Sequence, residues 1–189
     1  MKKVLVIVDM QYDFIDGSLG SPEAQIIVPR VVEKLNNTDL SNTLVLFTKD
    51  THYNDYLDTF EGKNLPIKHC IENTPGWCIH KDITSIVDHT DGALYYSSAK
   101  IKHSRIYKNT FGSDDLREFF LTHQNEIDEI EMIGLCTDIC VISNVLSTRQ
   151  ILPEMKIVVD ASCCAGVTPE KHRAALEVMK SCQIEVINE

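Results

Sequence analysis

Residues 1 to 9 read Met1-Lys2-Lys3-Val4-Leu5-Val6-Ile7-Val8-Asp9, an aliphatic run held between two lysines and an aspartate. Such a run has no polar face to offer water, so it predicts a strand buried on both sides, as in a parallel sheet. Asp9 interrupts the run and no small-residue cleavage site follows, which argues against a signal peptide. Runs of the same character recur at 43 to 48, 129 to 134, 156 to 160 and 184 to 187.

Helix signals lie between these runs. Pro22-Glu23 opens 22 to 36, Ser113-Asp114-Asp115 caps 114 to 124, 139 to 150 contains no breaker, and Thr168-Pro169-Glu170 starts a segment reaching about Cys182. The stretch 93 to 108 adds one or two strands leading to Lys108. This alternation predicts an α/β fold, a three-layer α/β/α sandwich around a mostly parallel, Rossmann-like six-stranded sheet. Right-handed crossovers would then gather ligands at the carboxyl ends of the strands. With 189 residues, one domain spanning 1–189 is expected, large enough to fold without disulfide or metal staples.

Eighteen basic against 28 acidic side chains leave a formal charge of −10, which argues against a nucleic-acid partner. No apolar stretch approaches the length of a membrane span. Seven cysteines, an odd number with no export signal ahead of them, favour a reducing cytoplasm over a disulfide framework.

Several residues could carry chemistry. Asp9 falls at the end of the first strand, where burial favours the protonated carboxyl unless a cation is near. A capping aspartate, followed by Asp13 and Asp16, is the plainer reading. Met132-Ile133-Gly134-Leu135-Cys136-Thr137-Asp138-Ile139-Cys140-Val141 passes from a strand through a turn into a helix. There the thiol of Cys140 would meet unpaired N–H groups and the positive end of the helix dipole, which favour thiolate. Free N–H groups in the turn could also hold an oxyanion. Small buried side chains, or a redox pair of Cys136 and Cys140, are the alternatives. Lys108, ending Arg105-Ile106-Tyr107, would keep Asp9 ionised and lower the thiol pKa if it faced both rather than solvent.

Asp50 and His52 project to one side of a strand end. With His69, 17 residues beyond His52, they make a set of two imidazoles and a carboxylate suited to Zn²⁺, Mn²⁺ or Fe²⁺. A surface pair and an unrelated loop histidine would look the same. Residues 51 to 80, broken by Asn54, Gly62, Pro66, Pro75 and Gly76, read as a long ordered loop of the kind that often serves function. Asp58, Glu61 and Lys63 read as its solvated charges. The other cysteines, and His80, His89, His103, His123 and His172, are assigned no chemistry.

Taken together, Asp9, Lys108 and Cys140 resemble the triad of the isochorismatase-like cysteine hydrolases. Val6-Ile7-Val8-Asp9-Met10-Gln11-Tyr12-Asp13-Phe14 resembles the family's first strand and D-x-Q-x-D-F signature, and Gly134 to Val141 its G-x-x-T-D-x-C-V nucleophile turn. Asp50, His52 and His69 with Cys70 resemble the D-x-H and H-C ligand motifs of the nicotinamidase branch. The resemblance spans nearly the whole chain. It implies hydrolysis of a small nicotinamide-like carboxamide through a thioester, with Asp9, Lys108 and Cys140 catalytic. It also implies a cis peptide ahead of Cys136 and an oxyanion hole from the N–H groups of Cys136 and Cys140. A divalent metal (Zn, Mn or Fe) would sit on Asp50, His52 and His69, and Phe14 would pack on the substrate ring, with Phe60 and Trp77 as further candidates. No membrane partner is implied, and the family suggests a homo-oligomer.

Three features differ from the family pattern. Leu65-Pro66-Ile67-Lys68-His69 stands where many nicotinamidases carry Trp-Pro, which removes an aromatic pocket wall. The spacing from His52 to Thr59-Phe60 is one residue longer, and Cys136 replaces a usual alanine. The rival functions are a metal-independent hydrolase of isochorismate or a carbamoyl compound, and a thiol sensor built on Cys136 and Cys140.

Overall fold

The run at Val4 to Val8 lies in the middle of the sheet, every side chain buried. A computed structural model describes residues 3–86 and 103–189. Its strands are β1 (Lys3–Val8), β2 (Thr43–Asp50), β3 (His103–Lys108), β4 (Glu129–Leu135), β5 (Lys156–Ala165) and β6 (Glu185–Ile187). They lie in the order β3-β2-β1-β4-β5-β6, and every neighbouring pair is parallel. The helices are α1 (Tyr12–Ile15), α2 (Pro22–Asn36), α3 (Phe60–Asn64), α4 (Lys81–Thr84), α5 (Asp114–His123), α6 (Ile142–Ile151) and α7 (Pro169–Ser181).

Local chemistry accounts for the longer helices. Ser21 caps α2 by accepting from Ala24 N at 3.1 Å, Pro22 occupies the first turn, and Ala24, Ile27, Val28, Val31 and Leu35 turn one stripe inward. That stripe lies against β5 and β4, while α5, α6 and α7 pack in series. Right-handed crossovers put these two groups on opposite faces, which gives the three layers. No helix among the described residues is long and apolar enough to cross a membrane.

Strand order reverses between β1 and β4, so a crevice opens beyond their carboxyl ends. Asp9 follows β1, Asp50 ends β2, Lys108 ends β3 and Cys136 follows β4. Val8 pairs with Thr48 and Gly134, and Asp50 pairs with Lys108, so these four residues reach one edge in register. Gly134 lets β4 approach closely: its φ is +117°, and a Cβ there would run into the Val8 carbonyl oxygen.

Some boundaries differ from expectation. β2 continues to Asp50, and β5 runs on to Ala165, so Cys163 and Cys164 are strand residues instead of following one. The helix expected from 139 begins as a π-helical turn, Thr137–Val141, and settles into α6 only at Ile142. The strand expected before Lys108 is β3, and 93 to 102 of that expectation lie outside the described residues.

Candidate active site

Asp9 departs from β1 in the left-handed region, φ 48°, a conformation that costs an aspartate little compared with a branched residue. Its carboxylate is wholly buried. Thr48 holds one half of it, donating from Oγ1 to Asp9 Oδ1 at 2.6 Å while accepting from Asp9 N at 3.2 Å. The other oxygen, Oδ2, lies 2.6 Å from Lys108 Nζ and has no aligned hydrogen-bond donor. Lys108 Nζ also stands 3.2 Å from Asp50 Oδ1 and donates to Cys140 Sγ at 3.5 Å. The structure thus brings Asp9, Lys108 and Cys140 together around one ammonium group.

The electrostatics correct one expectation. Sequence placed Cys140 on a helix start beside a lysine and predicted a lowered thiol pKa. Burial instead pushes that thiol well above its usual range, because desolvation outweighs the nearby Lys108 charge. Burial, helped by Asp50, also raises Asp9 against the pull of Lys108. Lys108 is held firmly protonated: burial opposes its charge, but Asp9, Cys140 and Asp50 surround it. Burial therefore favours the neutral thiol at Cys140, which shares the Lys108 ammonium with the Asp9 carboxylate.

Asp50 Oδ2 lies 2.9 Å from His52 Nε2 and 3.5 Å from His69 Nε2, and the three candidate ligand atoms fall within 4.8 Å of one another. A parallel bridge of His52 to Ile71 brings the distant His69 segment alongside β2. His69 Nδ1 bonds the Ile67 carbonyl at 2.9 Å, leaving Nε2 as its free donor atom. Burial would raise Asp50, but the two imidazoles beside it and the Lys108 charge hold it well below the carboxylate range. His52 Nε2 is buried without an aligned partner. Converging nitrogen and oxygen donors, one of them orphaned, fit a divalent cation.

Glu61 was expected to be a solvated loop charge. Instead its Oε1 stands 3.8 Å from His52 Nε2 and 3.7 Å from His69 Nε2. Thr59 caps α3 by accepting from Gly62 N at 3.0 Å and so turns the helix start toward the histidines. That Thr-x-x-Gly start was the one local signal available. Gln11 was also missed, though it stands in the opening motif: Oε1 accepts from Asp50 N at 2.7 Å, and Nε2 donates to Asp50 O at 2.8 Å and Trp77 O at 2.9 Å. Asp13 accepts from Cys70 N at 2.7 Å, anchoring the segment that carries His69.

A cleft of about 500 Å³ opens on these groups. Phe14 lines it, its ring 5.5 Å from that of His69. Phe60 and Trp77 do not line it. Phe60 is 87% exposed, while Trp77 stacks on Tyr107 at 5.8 Å and donates to Thr51 Oγ1 at 2.9 Å. Leu65 forms part of the wall, and Phe111, from the loop after β3, supplies an aromatic surface that no sequence pattern announced.

Comparison with known proteins bears on this arrangement. The sequence profile of the isochorismatase domain matches residues 3–189. The chain belongs to the isochorismatase family. Among members of this family it is similar to the nicotinamidase/pyrazinamidase of Mycobacterium tuberculosis, 28% identical over 98% of each chain. It is also similar to the pyrazinamidase of Pyrococcus horikoshii solved in complex with zinc, with a TM-score of 0.76 and 26% identity over the whole of both chains. The nicotinamidase/pyrazinamidase from Bacillus subtilis shares the fold, with a TM-score of 0.82 at 24% identity over the full length of both. As the isochorismatase-family resemblance implied, the Leu135–Cys136 peptide is cis. Cys136 and Cys140 both line the cleft.

Proposed function

We propose that this isochorismatase-family chain is a cysteine amidohydrolase that converts a small, ring-bearing carboxamide of the nicotinamide type to its acid and ammonia. The observation that carries the reading is Lys108 Nζ, 2.6 Å from Asp9 Oδ2 and 3.5 Å from Cys140 Sγ. Asp9 Oδ2 takes the Cys140 proton, while Lys108 stays charged and offsets the negative charge on both groups. The thiolate attacks the amide carbon, and the N–H groups of Cys136 and Cys140 hold the oxyanion. Asp9 then gives the proton to departing ammonia, leaving a thioester. Water deprotonated by Asp9 cleaves the thioester, releasing the acid and restoring the thiol. Phe14 and Phe111, which both line the cleft, pack against the ring.

Asp50, His52 and His69, with Glu61 beside them, would hold a divalent ion (Zn, Mn or Fe), which when bound supplies a Lewis-acid contact for a ring nitrogen. Similarity to a pyrazinamidase solved with zinc supports that assignment. The family resemblance extends the reading to a homo-oligomer, and the seven cysteines, all free, extend it to a reducing cytoplasm. Ammonia release is measured over nicotinamide, pyrazinamide, other carboxamides and N-carbamoyl compounds, with and without chelator. Turnover of ring carboxamides that Cys140→Ala abolishes is the expected result, and release near the parent rate from that variant rejects the nucleophile.

A further inference from the structure

The turn that carries Cys136 and Cys140 is held from behind by α7. Thr137, between the two cysteines, is wholly buried, and its hydroxyl lies 2.8 Å from Nδ1 of His172 on α7. Among the described residues that ring nitrogen is the hydroxyl's one polar partner. His172 N in turn bonds Thr168 O at 2.9 Å, so the capped start of α7 sets the ring's place. The neighbouring residue of the turn is gripped by the same stretch: Val167 N donates to Asp138 Oδ1 at 2.9 Å. Gly166 is packed so tightly there that a Cβ would stand 2.8 Å from Asp138 Oδ1 and 2.9 Å from His172 N.

We propose that His172 is a positioning residue: through Thr137 it fixes the turn that aims the Cys140 sulfur and the N–H groups of Cys136 and Cys140 at the amide carbon and its oxygen. This rests on the amidohydrolase reading. Oxyanion donors help only when held in place beforehand, and small displacements of reacting groups cost large factors in rate. Without His172 the buried Thr137 hydroxyl is stranded and is satisfied only if the side chain or the turn moves. Asparagine at 172 can present a polar atom where Nδ1 stands and so preserves the tether.

The test measures kcat, KM and thermal midpoint for His172→Ala, His172→Asn, Thr137→Val and the Thr137→Val/His172→Ala double variant on nicotinamide. The rate of Cys140 alkylation by iodoacetamide is followed on its own peptide by mass spectrometry. His172→Ala and Thr137→Val each lower kcat by roughly 10- to 100-fold with KM within about twofold. The double variant is no worse than the poorer single, and His172→Asn recovers most of the loss. Parent kcat in His172→Ala, or equal loss in His172→Asn and His172→Ala, overturns the proposal. A parent protein inactive on every carboxamide sinks the amidohydrolase reading instead. The tether is then judged on alkylation alone, where rates unlike the parent's support it and rates equal to the parent's overturn it.

Discussion

Asp9 and Lys108 follow or end strands that are not neighbours, since β2 lies between β1 and β3, yet Asp9 Oδ2 and Lys108 Nζ stand 2.6 Å apart. Lys108 spans that gap by passing beside its register partner Asp50, whose Oδ1 it meets at 3.2 Å. One buried cation thus serves two buried carboxylates and a thiol.

Removing that cation should therefore cost both stability and rate. Lys108→Met leaves the buried Asp9 carboxylate without its cation, and breaking a buried pair this way costs about 3–5 kcal/mol in urea unfolding. Turnover should fall by roughly 100-fold or more. Lys108→Arg should not restore it, because the planar guanidinium does not fit the space of an ammonium. Adding Asp9→Asn to Lys108→Met should regain part of the stability and none of the activity.

Asn144 ties the turn that carries Cys140 to the start of α5. It is buried, accepts from Ser113 N at 3.0 Å and donates to Cys140 O at 2.8 Å. Asn144→Leu strands both partners and should cost about 1–3 kcal/mol in denaturant unfolding. An unchanged urea midpoint would contradict this accounting.

Phe111 and Phe60 separate cleft packing from mere exposure. Aromatic packing is worth about 0.5–1.5 kcal/mol, so Phe111→Ala should raise KM for ring carboxamides by up to roughly tenfold. Phe60→Ala, at a side chain 87% exposed and outside the cleft lining, should leave KM and kcat within error in steady-state assays.

Acid should weaken the fold through Asp160. Burial would raise this carboxyl, but Lys34 Nζ at 2.5 Å, Ser162 Oγ at 2.7 Å and Asn188 Nδ2 at 3.1 Å hold it below the ordinary range. A carboxyl depressed in the folded state contributes stability that is complete above its unfolded pKa of about 3.9 and is lost as pH falls through the lower folded value. Urea midpoints between pH 7 and pH 3 should show Asp160→Asn closing on the parent as pH falls.

Metal content should follow the imidazoles and not the thiol. Purified protein analysed by elemental mass spectrometry should hold bound divalent metal, retained in Cys140→Ala and lost in His69→Ala. A chelator that strips it should reduce ammonia release from nicotinamide. Full activity in metal-free protein would favour the metal-independent hydrolase.

Local pattern was enough for the strands, the longer helices and the residues at the sheet's carboxyl edge. A run such as Val4 to Val8 can be satisfied only by burial on both faces, and a proline after a capping serine or threonine opens a helix wherever it stands. The motifs around Asp9, Cys140 and Asp50 likewise announced the candidate site, because each sits on a single turn or strand end. Glu61, Phe111, Thr48 and His172 were not legible, since nothing in their immediate neighbours shows which loop or helix will fold against which. The ionisation of Cys140 was misjudged for the same reason. A helix start and a nearby lysine can be read along the chain, but desolvation is set by every group that closes over the sulfur, and only the folded packing decides it.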